Sequence, residues 1–378
     1  MDKGREASQA QTRTRPDSFI MGCSGALFLA LPPSRLVPRA PARRTASAGE
    51  SCLRGTRGHS LVELMFGLGI AMAAIAAAYT VAETSNRTSV VNDQTAQLQQ
   101  NVRIAMNLVS SDIKTAGFGM SGAVGACAQA IVPSDNQPAA PDTGPDSVSL
   151  VAPTPVGTLA ATATAPFSVI SLAAGSVANY SGEGLGVGSV LSIGGATPAT
   201  VNAVAGDSLT LATTVGLPVV YPAGTQVFWL RCITYGIGTT SAACSGNAPC
   251  LLRNGSAVAE GIEDLQLAYA CDGCVAAINS GVADGIIDDQ NGNNAFDTAD
   301  FVSNSAWTAA PMTPDKIRLV RITIVGRQPR QDPNWRGTTP TTVEDHNPTG
   351  DGGYNLATYQ QFRRRILTRT VQARNLGL

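Results

Sequence analysis

Histidine, aromatic residues and charged residues are all scarce in this chain of 378 residues. Only two histidines occur, His59 and His346, so there is no HExxH motif and little support for a cysteine–histidine zinc site. Aromatic residues make up 5% and charged residues 14% of the chain, whereas Gly, Ala, Ser and Thr are abundant. This composition favours a β-rich extracellular protein with long loops over a tightly packed helical enzyme.

Catalytic motifs are also missing from the sequence. No glycine-rich loop is followed by Lys-Ser/Thr, and residues 119–122 lack the spacing of a nucleophile elbow. His346 lies in the turn-like stretch Glu-Asp-His-Asn-Pro, and we interpret it as a solvated loop residue. Trp307 and Trp335 are interpreted as packing or loop anchors. We therefore expect a structural protein, not an enzyme.

The net charge of −1 hides an asymmetry between the two ends of the chain. Residues 1–58 contain 10 Lys/Arg and 4 Asp/Glu, whereas residues 59–378 contain 16 Lys/Arg and 23 Asp/Glu. A basic segment before an apolar one favours a cytoplasmic position for that flank. The acidic remainder argues against a nucleic-acid partner bound by bulk electrostatics.

Residues 1–57 do not read as folded structure, because they are rich in Arg, Pro and Ser. Their one apolar run, residues 25–31, is too short to span a bilayer. Either the whole segment is a leader, or translation starts at Leu53, read as an initiator Met, and leaves a six-residue leader that ends at Gly58.

A long helix is predicted next. Residues 61–82 are apolar apart from Glu63 and are long enough to cross a membrane as a helix. Residues 89–114 contain neither Pro nor Gly and repeat apolar side chains at helical spacing until Gly117 ends the pattern. The sequence thus predicts one helix of more than fifty residues, with a membrane half (59–82) and an amphipathic half (83–118).

After Gly119 the pattern changes to short β-type runs separated by Gly, Pro and Asn. The predicted strands are 147–152, 189–193, 208–212, 226–235, 263–269, 317–325 and 364–373. Residues 133–166 are interpreted as a loop or flexible connection, and residues 183–230 as an extra β lobe. The predicted fold is α+β, with the long helix packed on an antiparallel sheet in a β-rich head at 119–378.

Six of the eight cysteines follow residue 58, and an export signal upstream favours disulfides. Six cysteines allow fifteen connectivities, and free thiols are the alternative. Close spacing favours Cys244 with Cys250 and Cys271 with Cys274, which leaves Cys127 with Cys232.

An acidic, Asn-rich stretch at 284–300 resembles a cation-binding loop. Counted from Asp289, side-chain oxygens fall at template positions 1, 3, 5, 9 and 12 of an EF-hand-like loop, namely Asp289, Asn291, Asn293, Asp297 and Asp300. The departures are Asn294 in place of the usual Gly and an Asp instead of Glu at the end. The sequence predicts a calcium site here, and an acidic surface turn is the alternative.

The segment Gly58-His59-Ser60-Leu61-Val62-Glu63, followed by the apolar run, resembles the class III signal of type IV pilins and type II secretion pseudopilins. The resemblance implies cleavage by prepilin peptidase between Gly58 and His59 and methylation of the new amino group of His59, although Phe or Met is usual there. Glu63 occupies the acidic position, where it could pair with the amino group of a neighbouring subunit.

Further short matches resemble PilW-type minor pilins, at 103–106, 111–113, 116–118, 261–269, 317–324, 362–366 and 371–375. They imply a minor pilin that helps to start or tip the filament. Its partners would be other pilins, prepilin peptidase and the inner-membrane assembly machinery. The head would lie in the periplasm before assembly and at the cell surface afterwards. Open alternatives are a type II secretion pseudopilin, a pilus-borne adhesin or calcium-modulated binding module, and a membrane-anchored periplasmic enzyme.

Overall fold

The computed structural model describes residues 60–135, 143–216, 219–244, 246, 248–337 and 339–376. The chain divides into two compact units, residues 1–68 and 69–378. Within the first unit, the described residues begin at Ser60 and enter helix α1 at Leu61, where the amide of Leu64 donates to the carbonyl of Ser60. The second unit contains the rest of α1 and every other element described below.

Helix α1 runs over Leu61–Thr115, 55 residues without a break, and confirms the predicted long helix. Its buried side chains recur every three or four residues, which is the period that places them on one face of a helix. They are Leu98, Val102, Ala105, Met106, Val109, Ser110 and Ile113. The helix ends just before Gly117, whose φ of +76° suits glycine and breaks the helical path.

Fourteen strands and two short helices follow among the described residues. The strands are β1 (Ile131–Ser134), β2 (Ser147–Thr158), β3 (Ala163–Thr164), β4 (Phe167–Ser171), β5 (Val190–Ile193), β6 (Thr197–Ala205), β7 (Ser208–Val215), β8 (Val220–Tyr221), β9 (Gln226–Gly238), β10 (Cys250–Arg253), β11 (Ser256–Glu260), β12 (Ile262–Cys271), β13 (Ile317–Arg327) and β14 (Arg364–Gln372). The short helices are α2 (Ala178–Ser181) and α3 (Leu356–Tyr359).

The strands form antiparallel sheets. The largest has the order β1-β2-β9-β5-β6-β7-β4, with β10 pairing both β9 and β11. A second sheet has the order β12-β13-β14, and β3 pairs with β8. The predicted α+β class is therefore confirmed, and each of the seven predicted strands overlaps an observed one.

Two main hydrophobic cores hold these sheets. The first joins the buried face of α1 to the three-stranded sheet and to parts of β2, β9 and β10. The second is built from β4 to β7 and the adjoining ends of β2 and β9, with Leu191, Leu209 and Val227 fully buried in it. This second core belongs to the extra β lobe, which therefore starts earlier in the chain than the predicted 183–230.

The interpretation of residues 133–166 as a loop is wrong over much of its length. Residues 147–158 form β2, a twelve-residue strand paired with β9 along its length. Pro153 and Pro155 suggested a loop, yet both lie beyond Leu150, where the pairing of β1 with β2 ends. A proline is tolerated in a strand whose missing N–H faces an unpaired edge.

The two faces of the three-stranded sheet contact different parts of the chain. Alternate residues of β13, such as Ile322, Ile324 and Gly326, face α1, and a Cβ added at Gly326 would lie 2.4 Å from Cγ2 of Val102. The intervening side chains, such as Arg321 and Thr323, face the other way. That second face is covered by the long connection between β13 and β14, residues 328–363.

Candidate functional site

The first part of α1 has the properties of a membrane span. By length and composition the helix can cross a membrane, and none of its most apolar 18-residue window is buried. Leu61, Phe66 and Ile70 are each at least 70% exposed, which is unusual for side chains of this kind. A candidate membrane helix is thus supported.

Glu63 lies in the first turn of this helix and is exposed. Carboxylates in a first turn interact favourably with the amino end of the helix dipole. Gly58 and His59 lie outside the described residues, so cleavage between them and methylation of His59 stay predictions from the sequence.

A polar cluster joins the packed half of α1 to the head. Oδ2 of Asp112 accepts hydrogen bonds from the hydroxyl of Tyr235 (2.6 Å) and from Nε of Arg253 (3.1 Å). Burial and the neighbouring carboxylate of Asp112 raise the pKa of Tyr235 well above its usual value, so its hydroxyl keeps the proton that it donates. The sequence alone did not predict either partner of Asp112, since both lie more than 120 positions along the chain.

Three disulfides are present among the described residues, and their pairing is the one that the sequence favours. Cys127 is joined to Cys232, Cys244 to Cys250, and Cys271 to Cys274. Asp288 lies close to the last pair, but its carboxylate accepts hydrogen bonds from the backbone amides of Gly273, Cys274 and Val275. Its observed role is thus to hold the loop that carries this disulfide.

The five predicted calcium ligands lie in one loop, where their side chains bond to amide groups of the same loop. Asn293 Nδ2 lies 2.7 Å from Asp297 Oδ2, and Asp289 Oδ1 accepts from the amide of Gly292 at 2.7 Å. Asp300 is fully buried and accepts from the amides of Gln290 and Asp297. Asn291 completes the group through contacts to Asp297.

The backbone of this loop follows the template at the sixth position. Asn294 has a φ of +61°, the left-handed conformation for which the template uses glycine and which asparagine tolerates. Desolvation acts to raise the pKa of Asp289, but the amides of Asn294 and Gly292 outweigh it and hold the pKa below its usual range. The amide of Ala299 and the side chain of Asn293 lower the pKa of Asp297. Both carboxylates are ionised at neutral pH, and calcium binding itself stays a prediction.

The interpretation of His346 as a solvated loop residue is wrong. The residue is 4% exposed, its Nδ1 lies 2.7 Å from Oδ2 of Asp264 on β12, and its Nε2 lies 2.9 Å from Oδ1 of Asp351. Burial acts to lower the pKa of His346, but the hydrogen bonds and charges of Asp264 and Asp351 outweigh it and raise the pKa to about 9. At neutral pH the ring is therefore a cation between two carboxylates. Its local sequence gave no sign of Asp264, 82 positions away.

A cavity of about 730 Å³ lies beside this histidine. Its walls are formed by the three-stranded sheet, the connection 328–363 and residues 143–145 before β2, together with Thr239 and Pro249. The sheet contributes Glu263, Asp264, Arg327 and Arg364, and the connection contributes aromatic and threonine side chains. Cavities of this size hold small organic ligands in many proteins. Sequence reasoning missed it because its residues come from distant parts of the chain.

Comparison with known proteins gives one positive finding. A family model described as Type IV Pilus-assembly protein W matches residues 234–375, which begin near the end of β9 and include the three-stranded sheet, the Asp289–Asp300 loop and most of the residues that line the cavity. No curated protein matches the chain significantly, and no solved structure does. The match supports a type IV pilus-related protein that is involved in pilus assembly.

Proposed function

We propose that this chain is a minor pilin, a structural subunit that acts in the initiation and assembly of a type IV pilus. It is inserted in the inner membrane by α1 with its head in the periplasm, is cut by prepilin peptidase between Gly58 and His59, and then enters the filament. The role is structural, without catalysis and without a nucleic-acid partner.

The observation that carries this proposal is the change of environment along one continuous helix. The apolar start of α1 is exposed, whereas its later turns, from Leu98 onward, pack on the head. An exposed apolar helix in water is unfavourable, so it needs a bilayer or neighbouring helices around it. The family match over residues 234–375 supports a pilus as the assembly in which neighbouring helices surround this part of α1.

Glu63 has a specific part in the proposal. A carboxylate close to an apolar span is costly, and such residues commonly have a function. In the filament it would pair with the free amino group of His59 on a neighbouring subunit, so that each charge offsets the other.

Mass spectrometry of the mature polypeptide tests the processing step. We expect the chain to begin at His59 and to carry one methyl group on its amino nitrogen. A mature chain that begins at any other residue would contradict the proposal.

Filament incorporation tests the role of Glu63. We expect Glu63→Ala to be processed normally but to enter filaments poorly. The matched control is Glu83→Ala, since Glu83 lies on the same helix and is exposed, where it pairs with Arg87. Equal incorporation of both variants would exclude the pairing.

Deletion of the gene separates a pilus from a secretion role. Loss of filaments with normal secretion is the expected result. Normal filaments with a secreted enzyme retained in the cell would instead assign the chain to a type II secretion system.

A further inference from the structure

The cavity between the three-stranded sheet and the connection 328–363 has a lining whose charges cancel. Its acidic side chains are Glu263, Asp264 and Asp351, and its basic side chains are Arg327, Arg364 and His346. His346 counts as a cation because the two aspartates raise its pKa to about 9. The described lining therefore carries no net charge at neutral pH.

These charges are also engaged with one another. Arg364 contacts Glu263 twice, with Nε to Oε2 at 2.6 Å and Nη2 to Oε1 at 3.0 Å, and Arg327 lies 3.4 Å from the same carboxylate. His346 is held by Asp264 and Asp351. A charged ligand would have to disrupt these pairs, which is costly for groups partly removed from water. A neutral ligand would leave them intact.

Aromatic side chains are concentrated in the same cavity. Trp335, Tyr354, Tyr359 and Phe362 all line it and are half-buried, although aromatic residues form only 5% of the chain. Arginines pack on three of these rings. Arg363 lies 4.0 Å from the centre of Trp335 and Arg364 3.3 Å from that of Tyr359. Arg327 lies 4.5 Å from the centre of Phe362. Tyr354 packs against Tyr359 with ring centroids 5.6 Å apart. The rings are therefore fixed before any ligand arrives.

Hydroxyl and amide groups stand beside the rings. Thr339, Thr341, Asn355 and Thr358 line the cavity and are exposed. Their side chains can donate and accept hydrogen bonds without carrying charge. The wall thus combines rigid apolar surfaces with neutral polar groups.

We propose that this cavity binds a neutral carbohydrate of about two or three sugar units. Sugars of this kind present C–H surfaces that pack on aromatic rings and hydroxyl groups that bond to threonine and asparagine side chains. A cavity of about 730 Å³ lies in the range that small ligands occupy. The site gives the protein a recognition role in addition to filament assembly.

Calorimetric titration of the full chain tests the proposal. The protein is held in nanodiscs or a zwitterionic detergent, because maltoside detergents carry a sugar head group. The probes are the neutral disaccharides cellobiose, lactose, mannobiose and N,N′-diacetylchitobiose, with anionic digalacturonate and cationic chitobiose as charged counterparts. We expect a neutral sugar to bind with a dissociation constant below about 1 mM and the charged sugars to bind at least roughly tenfold more weakly.

Two variants assign that binding to the cavity. Tyr354→Ala removes one ring and should weaken binding roughly tenfold, since about 1.4 kcal/mol corresponds to a factor of ten. Phe296→Ala is the control, because Phe296 is a 54% exposed ring outside the cavity, and it should bind as the unchanged protein does. Thermal melting of both variants checks that each is folded.

Tryptophan fluorescence detects binding in the unchanged protein, without truncation of a side chain to alanine. Trp229 and Trp307 are buried, so a sugar in the cavity should perturb Trp335. The signal should disappear in Trp335→Phe, while calorimetry still detects binding within a few-fold of the original affinity. The proposal would be overturned if no neutral sugar bound at about 1 mM. It would also be overturned if Tyr354→Ala left binding unaffected, or if a charged sugar bound preferentially.

Discussion

Two carboxylates hold His346 between them, one on β12 and the other on the connection after β13. The ring and Asp264 are both about 4% exposed, whereas Asp351 is partly exposed. Glu263, Arg327 and Arg364 are the other charged groups that line the adjoining cavity. The histidine thus fastens a loop to a sheet through a buried ion pair, and its charge is part of the folded structure.

The pKa of His346 gives this contact a pH dependence. Its folded value of about 9 is above the ordinary value of 6.5, so its contribution to stability is complete below pH 6.5 and is lost as the pH rises through 9. We expect the melting temperature of the full chain to fall across this window. In His346→Ala that fall should be smaller, which scanning calorimetry can measure.

The same substitution should also lower stability at pH 6.5. Removal of the ring leaves Asp264 buried without its cationic partner, which costs about 3 kcal/mol in comparable sites. Thr341→Ala is the control, because Thr341 lies on the same connection and is exposed. Similar melting of the two variants would mean that the ion pair adds nothing to stability.

The neighbouring sequence predicted the environment of His346 wrongly, whereas the spacing of the cysteines favoured the correct disulfides. His346 is surrounded by turn-forming residues, and burial came from contacts that only the folded chain creates. The tyrosine and arginine that bind Asp112 were missed for the same reason. The observed disulfides are those that the sequence favoured, because close spacing favours two pairs and leaves the third.

At the scale of elements, the Asp289–Asp300 loop can be tested for calcium. Two of its carboxylates, the half-buried Asp289 and the exposed Asp297, are ionised at neutral pH, and hard oxygen ligands of this kind suit calcium. We expect calorimetric titration of the full chain with calcium to release or absorb heat and calcium to raise the melting temperature.

Asp289→Asn should weaken that response, whereas Asp315→Asn, which changes an acid in another loop, should leave it unchanged. If millimolar calcium produced no heat and did not change the melting temperature, the loop would be an acidic surface turn that does not bind calcium.

The packing of α1 on β13 gives a second test at this scale. A Cβ at Gly326 would lie 2.4 Å from Val102 and 2.7 Å from Leu98, both on the buried face of α1. We expect Gly326→Ala to lower the free energy of unfolding by about 1–3 kcal/mol through overpacking. Gly122→Ala serves as the control, since nothing lies within 4 Å of a Cβ there. Chemical denaturation of both variants measures this difference, and equal stability of the two would contradict a tight contact between α1 and β13.

The elements that could be predicted are those with a strong period of their own. Helix α1 has its apolar repeat and a terminating glycine, and the longest strands have runs of β-branched residues. Strands such as β6 (Thr197–Ala205) were missed because they contain small residues and a proline, and they owe their form to pairing with β5 and β7. The apolar span and Glu63 were readable from sequence, but the cavity was not.

For the molecule as a whole, the disulfides differ greatly in the length of chain that they close. Cys127 and Cys232 are 105 positions apart, whereas Cys244 and Cys250 are 6 apart. Since a longer loop loses more entropy on closure, the first bond should stabilise the protein by about 2 kcal/mol more than the second. Melting of the Cys127→Ser/Cys232→Ser double variant should therefore fall further than that of Cys244→Ser/Cys250→Ser. The reverse order would contradict this account.

The bond between Cys127 and Cys232 also decides how tension travels through the chain. A force applied along α1 is transmitted through residues 116–126 to Cys127 and through the disulfide to Cys232 on β9. The same strand is also bonded to α1 by the hydrogen bond from Tyr235 to Asp112. Residues 128–231, with most of the lobe, lie outside that covalent path. The lobe can therefore vary in length and sequence without lengthening the mechanical route from the helix to the rest of the head.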